Sequence, residues 1–162
     1  MNQDSGTDRA VIRTLQIGKS WLPEQSGSGL DRMFYGLVRS LPEAGVSVRG
    51  LVAGTPKVAN DSDGAVAAFS HDKSSLLTRY GGGRRAIREL VRTQSFDLAA
   101  VHFAVYAFPG QSYLRRLPRV IHFHGPWALE SKVEGKSGLN VRAKLFVEQS
   151  VYRGAERFIV LS

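Results

Sequence analysis

Short β-rich apolar runs alternate with segments of helical period along this chain, and that alternation restricts its fold more than any other feature. Residues 11–17 read Val-Ile-Arg-Thr-Leu-Gln-Ile and stop at Gly18, as a first strand would. From Leu30 the period becomes about 3.6, with Leu30, Met33, Phe34, Leu37, Val38 and Leu41 on one face. Ser28 stands as N-cap and Asp31 three residues on, the spacing of a capping box with Asp in place of Glu, while Pro42 and Gly45 mark the exit. Residues 46–53 read as a second strand, 57–64 as a polar loop and 65–69 as a weaker third strand. Residues 74–80 and 84–94 read as helical on either side of Gly81-Gly82-Gly83, which is expected to be a hinge; Ile87, Leu90 and Val91 form its apolar stripe.

Two nearly continuous apolar runs follow, 98–103 and 119–123, as expected of strands covered on both faces. A final helix over 139–152, with Gly154 as its C′ residue, leads to one more strand from 157 to 161. Strands alternating with helices build βαβ units, so the chain is expected to form a doubly wound, Rossmann-like α/β fold around a parallel sheet. A length of 162 residues suits one domain, here 10–162 behind a polar tail, 1–9. A strand that finishes at the last residue, with no helix to close it, reads as a cut inside a longer chain.

Composition narrows the chemistry. With 43% hydrophobic and 22% charged residues the chain is globular, and the absence of cysteine excludes disulfide scaffolds, thiolate metal sites and thiol nucleophiles. No apolar run approaches the about 18 residues of a membrane span, and the N-terminus lacks a secretory pattern, which points to the cytoplasm. The net charge of +8 implies anionic partners: nucleic acid, acidic lipid or phosphorylated substrates. Arg79, Arg84, Arg85, Arg88 and Arg92 concentrate part of that charge, and Arg84, Arg88 and Arg92, four apart on a helix, form a basic stripe suited to an anionic membrane surface or an acidic acceptor. No nucleic-acid-binding signature accompanies it, so nucleic acid is not an expected partner.

In doubly wound sheets ligands bind at the carboxyl ends of the strands, which singles out the loops after Ile17, Ala53, Phe103 and Phe123. Ser26-Gly27-Ser28-Gly29 lies at a helix N-terminus, where free N–H groups and the helix dipole suit a diphosphate; the same residues read equally as a flexible loop with a cap. A dinucleotide fingerprint fails, because Arg32 stands where the third glycine belongs and the second strand ends in Leu51-Val52-Ala53-Gly54 without an acid. Walker A fails too, since Gly18-Lys19-Ser20 lacks the upstream glycine. The run His122-Phe123-His124-Gly125-Pro126-Trp127 puts two histidines on one side of a strand end. No nearby Asp, Glu or Cys completes a metal site around them. His122 reads as a core histidine bonded to backbone, whereas His124 at the loop end suits a substrate hydroxyl or phosphate oxygen. His102 either faces the same crevice or sits in the core, and Trp21 and Trp127 either stack on a sugar ring or plug the core.

Taken in order, the first strand, the loop Pro23-Glu24-Gln25-Ser26-Gly27-Ser28-Gly29 feeding Leu30-Asp31-Arg32-Met33-Phe34, Phe96-Asp97-Leu98 to His102, His122-Phe123-His124-Gly125 and Phe158-Ile159-Val160-Leu161-Ser162 resemble the N-terminal domain of GT-B glycosyltransferases of family 4. The resemblance implies one half of a GT-B architecture, with the C-terminal donor-binding domain absent. It also implies retaining transfer of a sugar from a nucleotide-diphosphate sugar to a glycan or lipid-linked acceptor hydroxyl, without metal or cofactor; the basic charge adds the inner membrane face as a place where a cytoplasmic protein of this kind could sit. By the same resemblance Gly27, Ser28 and Gly29 approach the donor diphosphate and His124 lies at the reacting centre, and the N-terminal half shapes the acceptor site, so that His102 and Trp127, from their places at the strand end and in the cleft loop, are expected in the acceptor cleft. The family's Glu-x7-Glu signature belongs to the other half, so the same spacing at Glu148 and Glu156 reads as coincidence and surface charge. The competing readings are a sugar-nucleotide epimerase on the same fold and a basic, non-enzymatic α/β module that binds anions or membranes.

Overall fold

The computed structural model describes residues 11–22, 27–125 and 138–160; the expected tail, the loop residues Pro23 to Ser26 and Trp127 lie outside them. In chain order the elements are β1 (Ile12–Ile17), α1 (Gly29–Ser40), a 3-10 turn (Leu41–Ala44), β2 (Val46–Ala53), α2 (Lys57–Asp61), β3 (Val66–Ser70), α3 (Leu76–Thr93) and β4 (Leu98–Val101). Then come α4 (Ala104–Ala107), a second 3-10 turn (Phe108–Gly110), α5 (Gln111–Leu114), β5 (Arg119–Phe123), α6 (Gly138–Tyr152) and β6 (Arg157–Val160). The strands form one parallel sheet in the order β3-β2-β1-β4-β5-β6, the doubly wound arrangement expected from the alternation.

Side chains along β2 part to the two faces. Val48 and Val52 join Trp21, Phe34, Val38, Val58 and Val66 on one, while Leu51 and Ala53 join Leu15, Ile17, Ala99, Val101, Ile87 and Ile121 on the other. Phe34, fully buried, is seated on two glycines, Gly18 just past β1 and Gly50 inside β2: a Cβ at Gly18 would lie 2.9 Å from its ring and one at Gly50 3.1 Å. Trp21 settles as core, 1% exposed and edge-on to Phe34 at 6.2 Å.

Three sequence expectations change. The stretch taken as a polar loop contains α2, pinned by one fully buried residue, Val58, and by Ser62, whose Oγ accepts from the Val66 N–H at 3.0 Å; a single apolar anchor leaves no period to read. The apolar run after Leu98 leaves the sheet at Val101, because the N–H groups of His102 and Phe103 both turn onto the Ile17 carbonyl. The glycine triplet is no hinge, since α3 runs unbroken through it. Its glycines are there for contact: a Cβ on Gly82 would stand 2.5 Å from the carbonyl oxygen of Phe69, and buried Gly83 faces the Phe69 ring and the Tyr106 carbonyl.

That explanation separates two neighbouring substitutions. Gly82→Ala is expected to destabilise by about 1–3 kcal/mol through overpacking against backbone. Gly81→Ala, with nothing within 4 Å of its added methyl, is expected to gain up to about 1 kcal/mol from helix propensity. Urea denaturation of both variants decides; equal stabilisation would restore the hinge.

Candidate active site

β1 and β4 are neighbours in the sheet, and the connections leaving their carboxyl ends run to opposite faces, which opens a crevice between them. A cavity of about 410 Å³ fills it, within the range of small-molecule sites. Three walls enclose it: the β1–α1 loop, the ends of β4 and β5, and α6.

The first wall is locked by one acid. Asp31, 1% exposed, accepts from the N–H and Oγ of Ser20 at 3.2 and 2.7 Å and from the N–H and Oγ of Ser28 at 3.0 and 2.7 Å. The expected pairing of Ser28 with Asp31 is therefore present, and it also ties the helix start to the loop leaving β1. Lys19 stands 3.9 Å from the same carboxylate. Ser28, Gly29 and Leu30 line the cavity with the first turn of α1, whose N–H groups have no partner within the helix. Gly27 does not line it: its bare α-carbon instead admits Leu22 and Asp31, which a Cβ would meet at 2.7 and 2.8 Å.

The second wall is a bank of imidazoles. His102 and His122 stack with ring centres 4.0 Å apart, and His124 lies 6.1 Å from His102 and 6.5 Å from His122. All three line the cavity, so the alternation that put His122 and His124 on one side holds, and His102 joins them. Phe34 meets His102 edge-on at 5.2 Å. Thr14 and Gln16, buried polar residues on one face of β1, orient His102. The Thr14 hydroxyl donates to the Ser47 carbonyl at 3.1 Å and the Gln16 amide donates to Thr14 at 3.2 Å, which leaves Gln16 Oε1 to accept from His102 Nε2 at 3.0 Å. That chain assigns the proton of His102 to Nε2. His122 departs from expectation: among the described residues its Nδ1 has no backbone or other partner, and it packs flat on a second imidazole instead.

Burial and mutual repulsion keep this bank neutral. His102 is pushed down to about 2, by burial first and then by His122 and His124, and His122 to about 4 for the same reasons. His124 is lowered by burial too, against a small upward pull from Asp31. No group of three or more His, Cys, Asp or Glu among the described residues is arranged to hold a metal ion.

The third wall carries a residue that the sequence reading placed on the surface. Glu148 is 6% exposed and lines the cavity with Tyr152, one turn further along α6. Only Glu156, beyond the helix end, is the surface charge that was expected. The signal was present: Val141, Glu148 and Val151 share the buried face, and Gly154, in a left-handed conformation at φ 74°, ends the helix only after Glu148.

The sequence profile of Glycosyltransferase Family 4 matches residues 27–162. The chain belongs to glycosyltransferase family 4. Among solved structures it is similar to MurG of Acinetobacter baumannii, with a TM-score of 0.53 at 13% sequence identity over 92% of this chain. The match spans 41% of the MurG chain, so the present chain corresponds to less than half of that protein. No curated protein matches it.

Charge in this family 4 cleft runs against what composition suggested. Among the described residues lining it, Lys19 and Glu148 are the charged ones, while Arg84, Arg85, Arg88 and Arg92 lie exposed on α3, away from the cavity wall. Arg84 is anchored there by a bond to the Pro109 carbonyl at 2.9 Å.

The neutral imidazoles make a stability prediction with a definite sign. Folding lowers both pKa values below the unfolded value of 6.5, so the unfolded chain takes up protons that the fold refuses, and stability falls as pH drops below about 6.5. The loss continues to about 4 for His122 and further for His102, at up to about 1.4 kcal/mol per pH unit for each ring. Urea unfolding between pH 7 and pH 5 should therefore show a shallower pH slope in the His102→Phe/His122→Phe double variant than in the parent. Equal slopes would mean that the rings protonate freely in the fold.

Proposed function

We propose that this chain is the acceptor-side half of a glycosyltransferase that moves a sugar, with retention, from a nucleotide-diphosphate sugar to an acceptor hydroxyl. The observation that carries the proposal is the convergence in one cavity of an open helix N-terminus and three imidazoles with unused ring nitrogens. A Cβ at Gly29 would meet nothing within 4 Å, so a phosphate oxygen can approach the first turn of α1, where N–H groups and the helix dipole favour an anion. Among the described residues His102 Nδ1, His122 Nδ1 and His124 Nε2 have no hydrogen-bond partner, leaving capacity that a bound sugar or phosphate would use.

In this reading the diphosphate leaves against the start of α1 and Lys19. His124, at the loop end of β5, bonds the transferring sugar or its phosphate, and the protein works by positioning and by donors aimed at the departing charge. Ser28 and Gly29 make the diphosphate contact, Gly27 shapes the loop, and His102 holds its neighbours in place from the buried side. The fold itself would serve an epimerase equally well; release of nucleoside diphosphate separates the two.

The test uses the full-length protein with a panel of nucleotide-diphosphate sugars, reading nucleoside diphosphate released in the presence of a chelator. Acceptor-dependent release that survives chelation, product with the donor's anomeric configuration by NMR, and a loss of about 10²-fold or more in turnover for folded His124→Ala are expected. Conversion of the nucleotide sugar without release would establish the epimerase instead.

An anionic membrane as the place of work is supported by α3. Leu77, 82% exposed, shares the outer face of that helix with Arg84 and Arg88, an apolar tip beside a basic stripe. Vesicles containing phosphatidylglycerol should retain the protein at low salt and lose it on Leu77→Asp; equal retention by neutral vesicles would remove the basic stripe from the interaction. Among the described residues no helix is long and apolar enough to cross the bilayer.

A further inference from the structure

We propose that Gln16 is a positioning residue for sugar transfer. Buried in the central strand and outside the cavity wall, it sets the ring plane and the protonated nitrogen of His102, and through the stacked ring of His122 the seat of His124. The inference rests on the glycosyltransferase reading and adds to it a residue that acts on the site without touching the ligand.

Alternation along β1 sets Thr14 and Gln16 on the face that α1 covers, among Phe34, Val48 and Val52, where an aliphatic side chain would fit the pattern. The neighbours in register leave room for an amide, since Gln16 lies between Gly50 on β2 and Ala100 on β4. His102 follows Ala100 by two residues and so returns to the same face, with Nε2 3.0 Å from the Gln16 amide oxygen. Folding by itself does not ask for this polar set, because apolar residues of matching shape in place of hydrogen-bonded partners are close to neutral for stability. Apolar residues could not, however, orient a ring.

The relay has one direction. A backbone carbonyl only accepts, so Ser47 takes the Thr14 proton, Thr14 Oγ1 takes a proton of the Gln16 amide, and Gln16 Oε1 is left facing His102. The ring answers with its Nε2–H, which leaves a lone pair on Nδ1. Among the described residues Nδ1 has no partner, so a second proton would find no acceptor there, and burial already holds the pKa of the ring down to about 2. His102 therefore keeps one tautomer and no charge.

Neutrality is what permits the stack. Two like charges 4.0 Å apart would drive the rings away from each other, whereas neutral imidazoles lie flat at that distance, with planes 17° apart. His124 continues the alignment, 19° from the plane of His122 and 33° from that of His102. Phe34, edge-on at 5.2 Å, closes in on the first ring as well, so His102 is bounded by an amide, a phenyl ring and an imidazole. A ring plane fixed from β1 is thus passed along the bank to the histidine at the loop end of β5.

Two measurements on the full-length protein test the assignment: long-range proton–nitrogen NMR of labelled histidines at neutral pH, with the His102 signals identified by their loss in His102→Phe, and steady-state transfer kinetics. The parent is expected to show His102 as a single Nε2–H tautomer. Gln16→Met keeps the volume and removes the acceptor; it should show both tautomers and lose about tenfold to a hundredfold in kcat, with the donor and acceptor KM values unchanged. Thr14→Val keeps both the shape and Gln16 but frees the direction of the amide, so it too should mix the tautomers and lower kcat, and it carries the test should Gln16→Met not fold. A parent protonated on Nδ1, a single tautomer that persists in the variants, mixed tautomers with kcat unchanged, a rise in KM alone, or a fall in kcat with the tautomer of the parent intact would overturn the proposal. A parent that transfers no sugar from any nucleotide-diphosphate donor would instead bring down the glycosyltransferase reading. The spectra then still decide on Gln16: an Nε2–H tautomer that collapses in the variants supports its hold on the imidazoles, and identical spectra refute it.

Discussion

The central strand of this fold buries polar side chains, and much of the site follows from the need to satisfy them. β1 is flanked by β2 and β4, and its inner residues are fully covered. Leu15 and Ile17 fill one face, but Thr14 and Gln16 occupy the other, where each unmet hydrogen bond would cost about 1–3 kcal/mol. The solution is a chain of bonds from Ser47 on β2 through Thr14 and Gln16 on β1 to His102, just past the end of β4. That chain fixes the protonated nitrogen of His102, His102 supports the stacked ring of His122, and the stack sets the floor on which His124 stands. A buried amide in the middle of the sheet thereby organises the imidazoles at its end.

Net charge informs about the outside of this molecule more than about its cleft. The excess of basic residues spreads over exposed helix positions, whereas among the described residues the cavity wall holds one lysine already beside an aspartate and one glutamate. Asp31 matters twice in this balance. Its carboxylate holds the loop that presents the first turn of α1, and its charge offsets both Lys19 and the positive end of the helix that an incoming phosphate would feel.

What was legible in the sequence is what periodicity encodes. The strands, the amphipathic α1 with its cap, the glycine after α6 and the convergence of His122 with His124 all follow from patterns of two or about 3.6 residues. What escaped depended on contacts between elements. The role of Gly82 is set by the Phe69 carbonyl on another element, and the anchoring of α2 by one valine, neither of which local sequence expresses. Gln16 looked like the polar half of an alternating strand, and only burial on both faces of the sheet turned it into a ligand for His102. Glu148 was misplaced for a different reason. Its spacing to Glu156 matches a pair of surface acids, whereas the helical period sets it on the face of Val141 and Val151.

Neutral imidazoles constrain how the proposed reaction is shared between two halves. A histidine held well below its usual range supplies hydrogen bonds at neutral pH but no positive charge. Among the described residues, charge developing on a departing diphosphate would therefore find the N–H groups of α1 and a lysine whose field Asp31 already reduces. In the proposed reaction the described residues would contribute orientation and hydrogen bonding more than charge. The described walls are therefore better suited to orient a ligand through hydrogen bonds than to neutralise a charged leaving group.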